Sequence, residues 1–186
     1  MRYDLIHDAI WLIFLGYWVA YADGNKKTVH RYSPARRFVV FIVLVVVGTA
    51  LYNAKGWWQT QVVPHNDPVE ILGVIAVAAG VAIAIWARRI LGTNWSANPT
   101  IKEGHELITS GPYRYVRHPI YTGILLALFG SLVLANGQIK ALIMFAILAI
   151  GLHFKSRVEE ALMVKTFPNT YPEYRRRTKA IIPFVL

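Results

Sequence analysis

Five apolar runs divide the chain, at residues 5–22, 38–52, 70–87, 120–135 and 139–154. Each approaches the roughly 20 residues that a helix needs to cross a bilayer. The valines and isoleucines of the second run would favour a strand in water, but its length and the four similar runs favour a membrane helix. The pattern therefore predicts an all-α, polytopic integral membrane protein with five transmembrane helices.

The last two runs are separated by three residues only, Asn136, Gly137 and Gln138. So short a link predicts a C-terminal helical hairpin. Each run would be about 24 Å long as a helix, so flanking residues must complete the crossing or the bilayer must thin locally. The third run carries small residues near one helical face, which lets a neighbouring helix approach closely: Gly73, Ala76, Gly80 and Ala84.

Composition supports a membrane protein of one domain. The 186 residues are 55% hydrophobic, with a mean hydropathy of +0.40 and a net charge of +10. Residues 1–90 would form three N-terminal helices, and residues 91–186 a second half with helices four and five and a tail. The basic residues cluster between the apolar runs, which indicates anionic lipid head groups and topology rather than nucleic acid. The absence of cysteine excludes disulfides and thiolate chemistry.

The distribution of positive charge predicts an orientation. Residues 23–37 and 88–117 carry five Lys or Arg each and residues 155–186 carry seven, whereas residues 53–69 carry one. Because basic segments stay in the cytoplasm, the N-terminus is expected outside and the C-terminus inside. The polar segment 104–123 and the tail then share the cytoplasmic side, where they can form a pocket.

That polar segment concentrates candidate chemistry. His118 and Pro119 begin the fourth helix, where exposed amides favour anionic groups, and Tyr121 follows within one turn. We read Arg114 as an interfacial residue, but His118 with Tyr121 as functional. A metal site is not expected, because His105-Glu106 lacks a second histidine at helical spacing and the chain offers no matching carboxylate.

A second polar group lies where the fifth helix continues, at Lys155, Arg157, Glu159 and Glu160. Lys155 and Glu159 have the spacing of a surface ion pair, yet ionisable residues at the end of a membrane helix are functional candidates. Glu159 could hold a cationic or hydroxyl-rich ligand, and Lys155 or Arg157 an anionic one. No Gly-x-Gly occurs, so the usual dinucleotide cradle is absent. Beyond this group the tail predicts an interfacial amphipathic helix.

Several short motifs follow one another in the C-terminal half: Leu91-Gly92-Thr93-Asn94-Trp95, His105-Glu106-Leu107-Ile108, Gly111-Pro112-Tyr113, Arg117-His118-Pro119-Ile120-Tyr121-Thr122-Gly123, Glu159-Glu160, Tyr171, Tyr174 and Ile182-Pro183. In these residues, their order and their spacing, the chain resembles the isoprenylcysteine carboxyl methyltransferase family of integral membrane methyltransferases. The first two helices match it in character alone.

The resemblance implies S-adenosylmethionine as cofactor and S-adenosylhomocysteine as product. The residues that match the family's cofactor-binding positions are His105, Glu106, Leu107, Ile108, Tyr113, His118, Pro119, Ile120, Tyr121 and Glu159. The family places a basic residue, usually arginine, four positions before the glutamate, on the acceptor. This chain has Lys155 there and Arg157 two residues later, and Phe167-Pro168 replaces the family's Phe-Gly. We take Lys155 and Arg157 as the catalytic candidates.

These observations favour a methyltransferase acting on a lipophilic or prenylated acceptor that enters from the bilayer, with membrane lipids and no obligatory protein as partners. A carboxylate acceptor needs no base, whereas an amine or thiol would need one, with His118, His153 or Glu160 as candidates. Tyr113 or Tyr121 could stabilise a sulfonium by cation–π contact. The alternatives are phospholipid or amine N-methylation, thiol S-methylation, an NADPH-dependent membrane reductase and a non-enzymatic lipid-binding protein.

Overall fold

The computed structural model describes residues 3–21, 34–96, 104, 106–135 and 137–183, with the backbone alone for residues 34–41. This part of the chain contains six α-helices and no strand, which confirms the all-α prediction. The helices are α1 (Asp4–Ala20), α2 (Pro34–Asn53), α3 (Asp67–Leu91), α4 (Pro119–Leu134), α5 (Ile139–Thr166) and α6 (Tyr171–Arg177).

The first five helices coincide with the five apolar runs, and α5 continues well beyond its run. Two stretches of the described chain, Asp67–Asn94 and Ile139–Thr166, are long and apolar enough to cross a membrane by length and composition. Ile42–Asn53 and Pro119–Leu134 are apolar but shorter. Five crossings and their direction remain predictions.

The closest helix pair is α3 with α4. Gly73 and Gly80 of α3 lie against Gly130 and Gly123 of α4, and all four are buried. A Cβ atom added to Gly123 would lie 2.5 Å from the carbonyl oxygen of Gly80, and one added to Gly130 would lie 2.5 Å from that of Gly73. The helices therefore pack backbone against backbone, which confirms the small-residue prediction for α3.

Helix α4 also contacts α5, its predicted hairpin partner, but over a smaller surface. The chain turns at Gly137, where φ is +55°, and enters α5, but α4 packs more extensively on α3 than on α5. Side-chain size explains the difference, since the glycine faces of α3 and α4 allow close approach while α4 and α5 meet through larger groups such as Phe129 and Phe145.

Helix α1 is held against this pair at both ends. His7 Nε2 and Trp11 Nε1 each lie 3.0 Å from Ser131 Oγ of α4. At the other end, Arg88 of α3 donates to the carbonyl oxygen of Tyr21 at 2.8 Å. These contacts bring the C-terminal end of α1 to the same end of the bundle as the start of α4.

The tail returns to the start of α4. The backbone N–H groups of Arg117 and His118 donate to the carbonyl oxygens of Lys179 and Ala180 at 2.8 and 2.9 Å. Thr122 Oγ1 donates to the carbonyl oxygen of Ile181 at 2.5 Å. The polar segment and the tail therefore meet, as the sequence predicts.

Candidate active site

A cavity of about 280 Å³ lies at the end of the bundle where α4 begins. Its walls come from the C-terminal ends of α1 and α3, residues 106–108, the first turn of α4, the second half of α5, and α6. Apolar side chains such as Ile120, Ile124 and Leu162 supply much of the lining, and polar groups converge at one side. This mixture is typical of small-molecule sites.

The polar side is built on Glu159. The hydroxyl of Tyr121 lies 2.7 and 2.8 Å from the two Glu159 carboxylate oxygens and donates its one hydrogen to the carboxylate. His118 Nδ1 lies 3.4 Å from Glu159 Oε2. The spacing of three between His118 and Tyr121 places both on one side of the first turn of α4, where their rings stack at 5.3 Å with an interplanar angle of 4°.

Lys155 completes this group from α5. Its Nζ lies 5.3 Å from the centroid of the Tyr121 ring, within the range of a cation–π contact. Lys155 is one helical turn before Glu159, so both side chains face the cavity. The cavity thus presents a carboxylate, a cation and an aromatic face within a few ångströms of each other.

A buried ion network lies behind the cavity wall. Arg117 Nε donates to Glu160 Oε1 at 2.7 Å, and the two side chains are only 9% and 4% exposed. Arg175 Nε lies 3.3 Å from the other Glu160 oxygen. Arg117 also donates to the carbonyl oxygens of Thr178 and Arg175. Glu160 therefore ties the start of α4 and the tail to α5.

His118 is buried between the two glutamates. Its Nε2 makes no hydrogen bond within the described structure and lies 3.5 Å from Glu160 Oε1. Burial lowers the pKa of His118, but the carboxylates of Glu159 and Glu160 favour the imidazolium, and the net result is a raised pKa. The raised pKa favours the imidazolium, which suits a charged positioning group.

Two tyrosines support the floor of the cavity. Tyr113 is buried, and its hydroxyl lies 3.4 Å from the carbonyl oxygen of Ala87. Tyr174 donates to the carbonyl oxygen of Tyr113 at 2.7 Å. Burial raises the pKa of Tyr113, and raises that of Tyr174 to about 12. Both phenols therefore stay neutral at physiological pH.

The structure brings most of the predicted site residues together. Nine of them line the cavity: Glu106, Leu107, Ile108, Tyr113, His118, Ile120, Tyr121, Lys155 and Glu159. Pro119 is fully buried beneath them. Arg157 is exposed on α5 and lies outside the lining. His105 lies outside the described residues.

Sequence reasoning overlooked part of the lining. Asn94 and Trp95, from the motif Leu91-Gly92-Thr93-Asn94-Trp95, are not among the predicted site residues, yet both line the cavity. Asn94 Oδ1 accepts from the backbone N–H of Glu106 at 3.4 Å, and Arg88 lies 4.3 Å over the Trp95 ring. The clustering of Asn94 and Trp95 directly after an apolar helix was the available signal.

The residues present fit S-adenosylmethionine in chemical character. Glu159 and the face of Tyr121 suit a positively charged group, and apolar walls with scattered hydrogen-bonding groups suit an adenosyl moiety. Within the residues that the structure describes, no group of three or more His, Asp or Glu side chains is placed to hold a metal ion.

Comparisons with known proteins agree with this description. The family model described as phospholipid methyltransferase matches residues 69–170. The cobalt-zinc-cadmium resistance protein CzcN of Cupriavidus metallidurans is 28% identical over 87% of this chain and 68% of its own length. Protein-S-isoprenylcysteine O-methyltransferase of Schizosaccharomyces pombe is 32% identical over 44% of this chain, which spans 34% of that protein.

A solved structure shares the fold. The eukaryotic intramembrane Ras methyltransferase ICMT (isoprenylcysteine carboxyl methyltransferase) superposes with a TM-score of 0.56 and 21% identity, over 84% of this chain and 55% of that one. At this identity the likeness shows the helical fold. The family model matches more than half of the residues of this chain, so the chain belongs to the phospholipid methyltransferase family. The resemblance to isoprenylcysteine carboxyl methyltransferases is confirmed.

Proposed function

We propose that this protein is an S-adenosylmethionine-dependent membrane methyltransferase, similar to isoprenylcysteine carboxyl O-methyltransferases, with a lipophilic acceptor that reaches the cavity from the bilayer. The observation that carries the proposal is the grouping of Glu159, Tyr121, His118 and Lys155 at one side of an apolar cavity. These are the residues that the family motifs assign to cofactor and acceptor.

Bound S-adenosylmethionine supplies an electrophilic methyl group on a sulfonium. Glu159 and the Tyr121 ring would hold the cationic part of the cofactor, with the Tyr121 hydroxyl fixing the carboxylate by donating its hydrogen to it. Glu106, Leu107, Ile108 and Tyr113 would enclose the remainder. The chain's own contribution to rate is then alignment and exclusion of water, which can supply on the order of 7–11 kcal/mol in favourable cases.

Lys155 supports an anionic acceptor. Its ammonium reaches the cavity next to the Tyr121 ring, where it could orient a carboxylate through a charge-assisted hydrogen bond. A carboxylate is nucleophilic at neutral pH without a base. An amine or thiol acceptor would first have to lose a proton, and the ammonium of Lys155 offers it no complementary charge. We therefore rank O-methylation of a carboxylate above N-methylation of a phospholipid amine and S-methylation of a thiol.

The topology belongs to the same proposal. With five crossings the two termini would lie on opposite sides of the membrane, the N-terminus outside, and the C-terminus and the cavity on the cytoplasmic side. The basic residues before α4 and in the tail, including Arg114, Arg117 and the tail arginines, support this orientation.

Calorimetric titration of the detergent-solubilised protein tests the cofactor. Saturable binding of S-adenosylmethionine and S-adenosylhomocysteine, without binding of NADPH, is expected. Glu159→Gln should weaken that binding, whereas Glu173→Gln, on the exposed face of α6, should not. Binding of NADPH alone would indicate a reductase, and binding of neither by a folded protein would indicate a lipid-binding role.

A turnover assay distinguishes a carboxylate acceptor from an amine acceptor. An S-prenylated N-acetylcysteine provides the carboxylate and phosphatidylethanolamine the amine, each with radiolabelled cofactor. Lys155→Gln should abolish carboxylate methylation while preserving cofactor affinity, and Arg157→Gln, on the exposed face of α5, is the matched control. Methylation of the amine alone would replace the carboxylate assignment.

A further inference from the structure

A second concavity lies beside the first, on the surface of the tail. It measures about 270 Å³ and is lined by Arg117 and residues 175–180. Four of those six tail residues are basic: Arg175, Arg176, Arg177 and Lys179. We define this concavity as the basic groove. Arg117 lines both the basic groove and the cavity described above.

The basic groove carries more positive charge than the carboxylates paired with it neutralise. Glu160 pairs with Arg117 and Arg175, and Glu173 pairs with Arg177. Five bases therefore face two carboxylates, which leaves a net charge of +3. Arg176 and Lys179 are exposed and have no carboxylate partner within the described chain. A seven-residue helix such as α6 gains from cations at its last turn, but Lys179 lies beyond that turn.

The position of the basic groove in the fold indicates that it lies near a membrane surface. Arg117 stands two residues before Pro119, where the apolar helix α4 begins. The backbones of Val116 and Lys179 pair next to it. On these two segments Tyr115 is 62% exposed and Ile182 is 45% exposed. Bases flanked by an exposed aromatic and an exposed aliphatic side chain are typical of a surface at head-group level.

We propose that the basic groove binds the phosphate of an anionic membrane lipid, with Arg176 and Lys179 as the principal ligands and Tyr115 and Ile182 in the adjoining acyl-chain region. Arginine and lysine are the side chains that recognise phosphate. The exposed hydrophobic residues favour a lipid over a free anion. This inference depends on charge and position and not on the proposed methyl transfer.

Thermal unfolding in an uncharged detergent, with added lipid, tests the inference. Phosphatidylglycerol should raise the melting temperature saturably, while phosphatidylcholine, glycerol phosphate and inorganic phosphate should not. Each base near an anionic surface contributes a preference of about fivefold. The double variant Arg176→Gln/Lys179→Gln should therefore raise the half-saturating phosphatidylglycerol concentration about 25-fold.

A matched control removes the same charges elsewhere. Arg89→Gln/Lys165→Gln changes one arginine and one lysine, both exposed and outside the basic groove, and should respond like the unmodified protein. An equal response of both double variants would overturn the inference. Equal stabilisation by glycerol phosphate or inorganic phosphate would identify a free-anion site instead of a lipid site.

Two further measurements make the result independent of folding and of the proposed reaction. In the unmodified protein, the half-saturating phosphatidylglycerol concentration should rise with ionic strength, because salt screens exposed charges; no dependence on salt would contradict the inference. S-adenosylhomocysteine affinity should be the same in the groove variant as in the unmodified protein. Loss of lipid response with intact cofactor binding therefore separates the two proposals.

Discussion

Replacing Glu160 by glutamine should destabilise the protein far more than its single charge suggests. Arg117 is 9% exposed and donates to Glu160 at 2.7 Å, and Arg175 and His118 face the same carboxylate. Glutamine keeps the volume but removes the negative charge. The buried guanidinium then lacks a counter-charge, and breaking such a pair typically costs about 3–5 kcal/mol.

Glu173→Gln provides the comparison. Glu173 pairs with Arg177 at i, i+4 on the surface, where the side chains are 51% and 75% exposed. Pairs of this kind contribute about 0.3–0.5 kcal/mol. Both variants lose one carboxylate from the same region, so the difference between them measures burial and not net charge.

Equilibrium unfolding in mixed detergent micelles, followed by tryptophan fluorescence, gives the free energy of unfolding of each variant. We expect Glu160→Gln to lose at least about 3 kcal/mol and Glu173→Gln less than about 1 kcal/mol. Equal losses would refute the reasoning, because they would show that Glu160 does not neutralise a buried charge. A proteolytic pattern showing release of the tail in Glu160→Gln would further support its role in tying the tail to α5.

Three other predictions concern the helix interface and the cavity. Gly80→Ala places a methyl group 2.5 Å from the carbonyl oxygen of Gly123, so α3 and α4 must separate, and we expect a loss of about 1–3 kcal/mol in the same unfolding assay; unchanged stability would contradict the close packing. The pKa of His118 is raised, since the carboxylates around it outweigh the effect of burial. The stability that His118 contributes should therefore be complete below its unfolded pKa of about 6.5 and should disappear as the pH rises through the raised value. A melting-temperature profile between pH 6 and 9 that is the same in His118→Gln as in the unmodified protein would exclude this contribution. Tyr121→Phe keeps the ring but removes the hydroxyl that donates to the Glu159 carboxylate. S-adenosylhomocysteine affinity should then fall by about tenfold, the equivalent of one charge-assisted hydrogen bond, and calorimetry showing no loss would remove Tyr121 from the group that positions Glu159.

The sequence alone was sufficient to predict the helices and to identify the family. Apolar runs of 15 to 18 residues dictate helices, because a bilayer or a bundle core requires every backbone N–H and C=O group to be paired within its own segment. The helix starts are local as well, since Pro119 directly after His118 fixes the first turn of α4. For this reason the bounds of α1 to α4 differ from the predicted runs by only a few residues.

Most of the candidate site was also predictable, because its residues occur in compact motifs. His118 and Tyr121 share one helical turn, and Lys155 and Glu159 share another. Such spacings fix which side chains face the same direction before any tertiary contact is known. They do not fix which motifs meet.

Only the tertiary structure decided how distant segments combine. The pairing of α3 with α4 depends on two glycine faces meeting, whereas the three-residue link between α4 and α5 predicts only that these two helices are neighbours. Arg117 and Glu160 are 43 residues apart, and nothing in the local pattern of either predicts a buried pair. Arg157 and Lys155 are equally basic and two residues apart, yet about 200° of helical rotation directs one to solvent and the other into the cavity. Charge type is local information, whereas burial and partnership depend on which surfaces pack together.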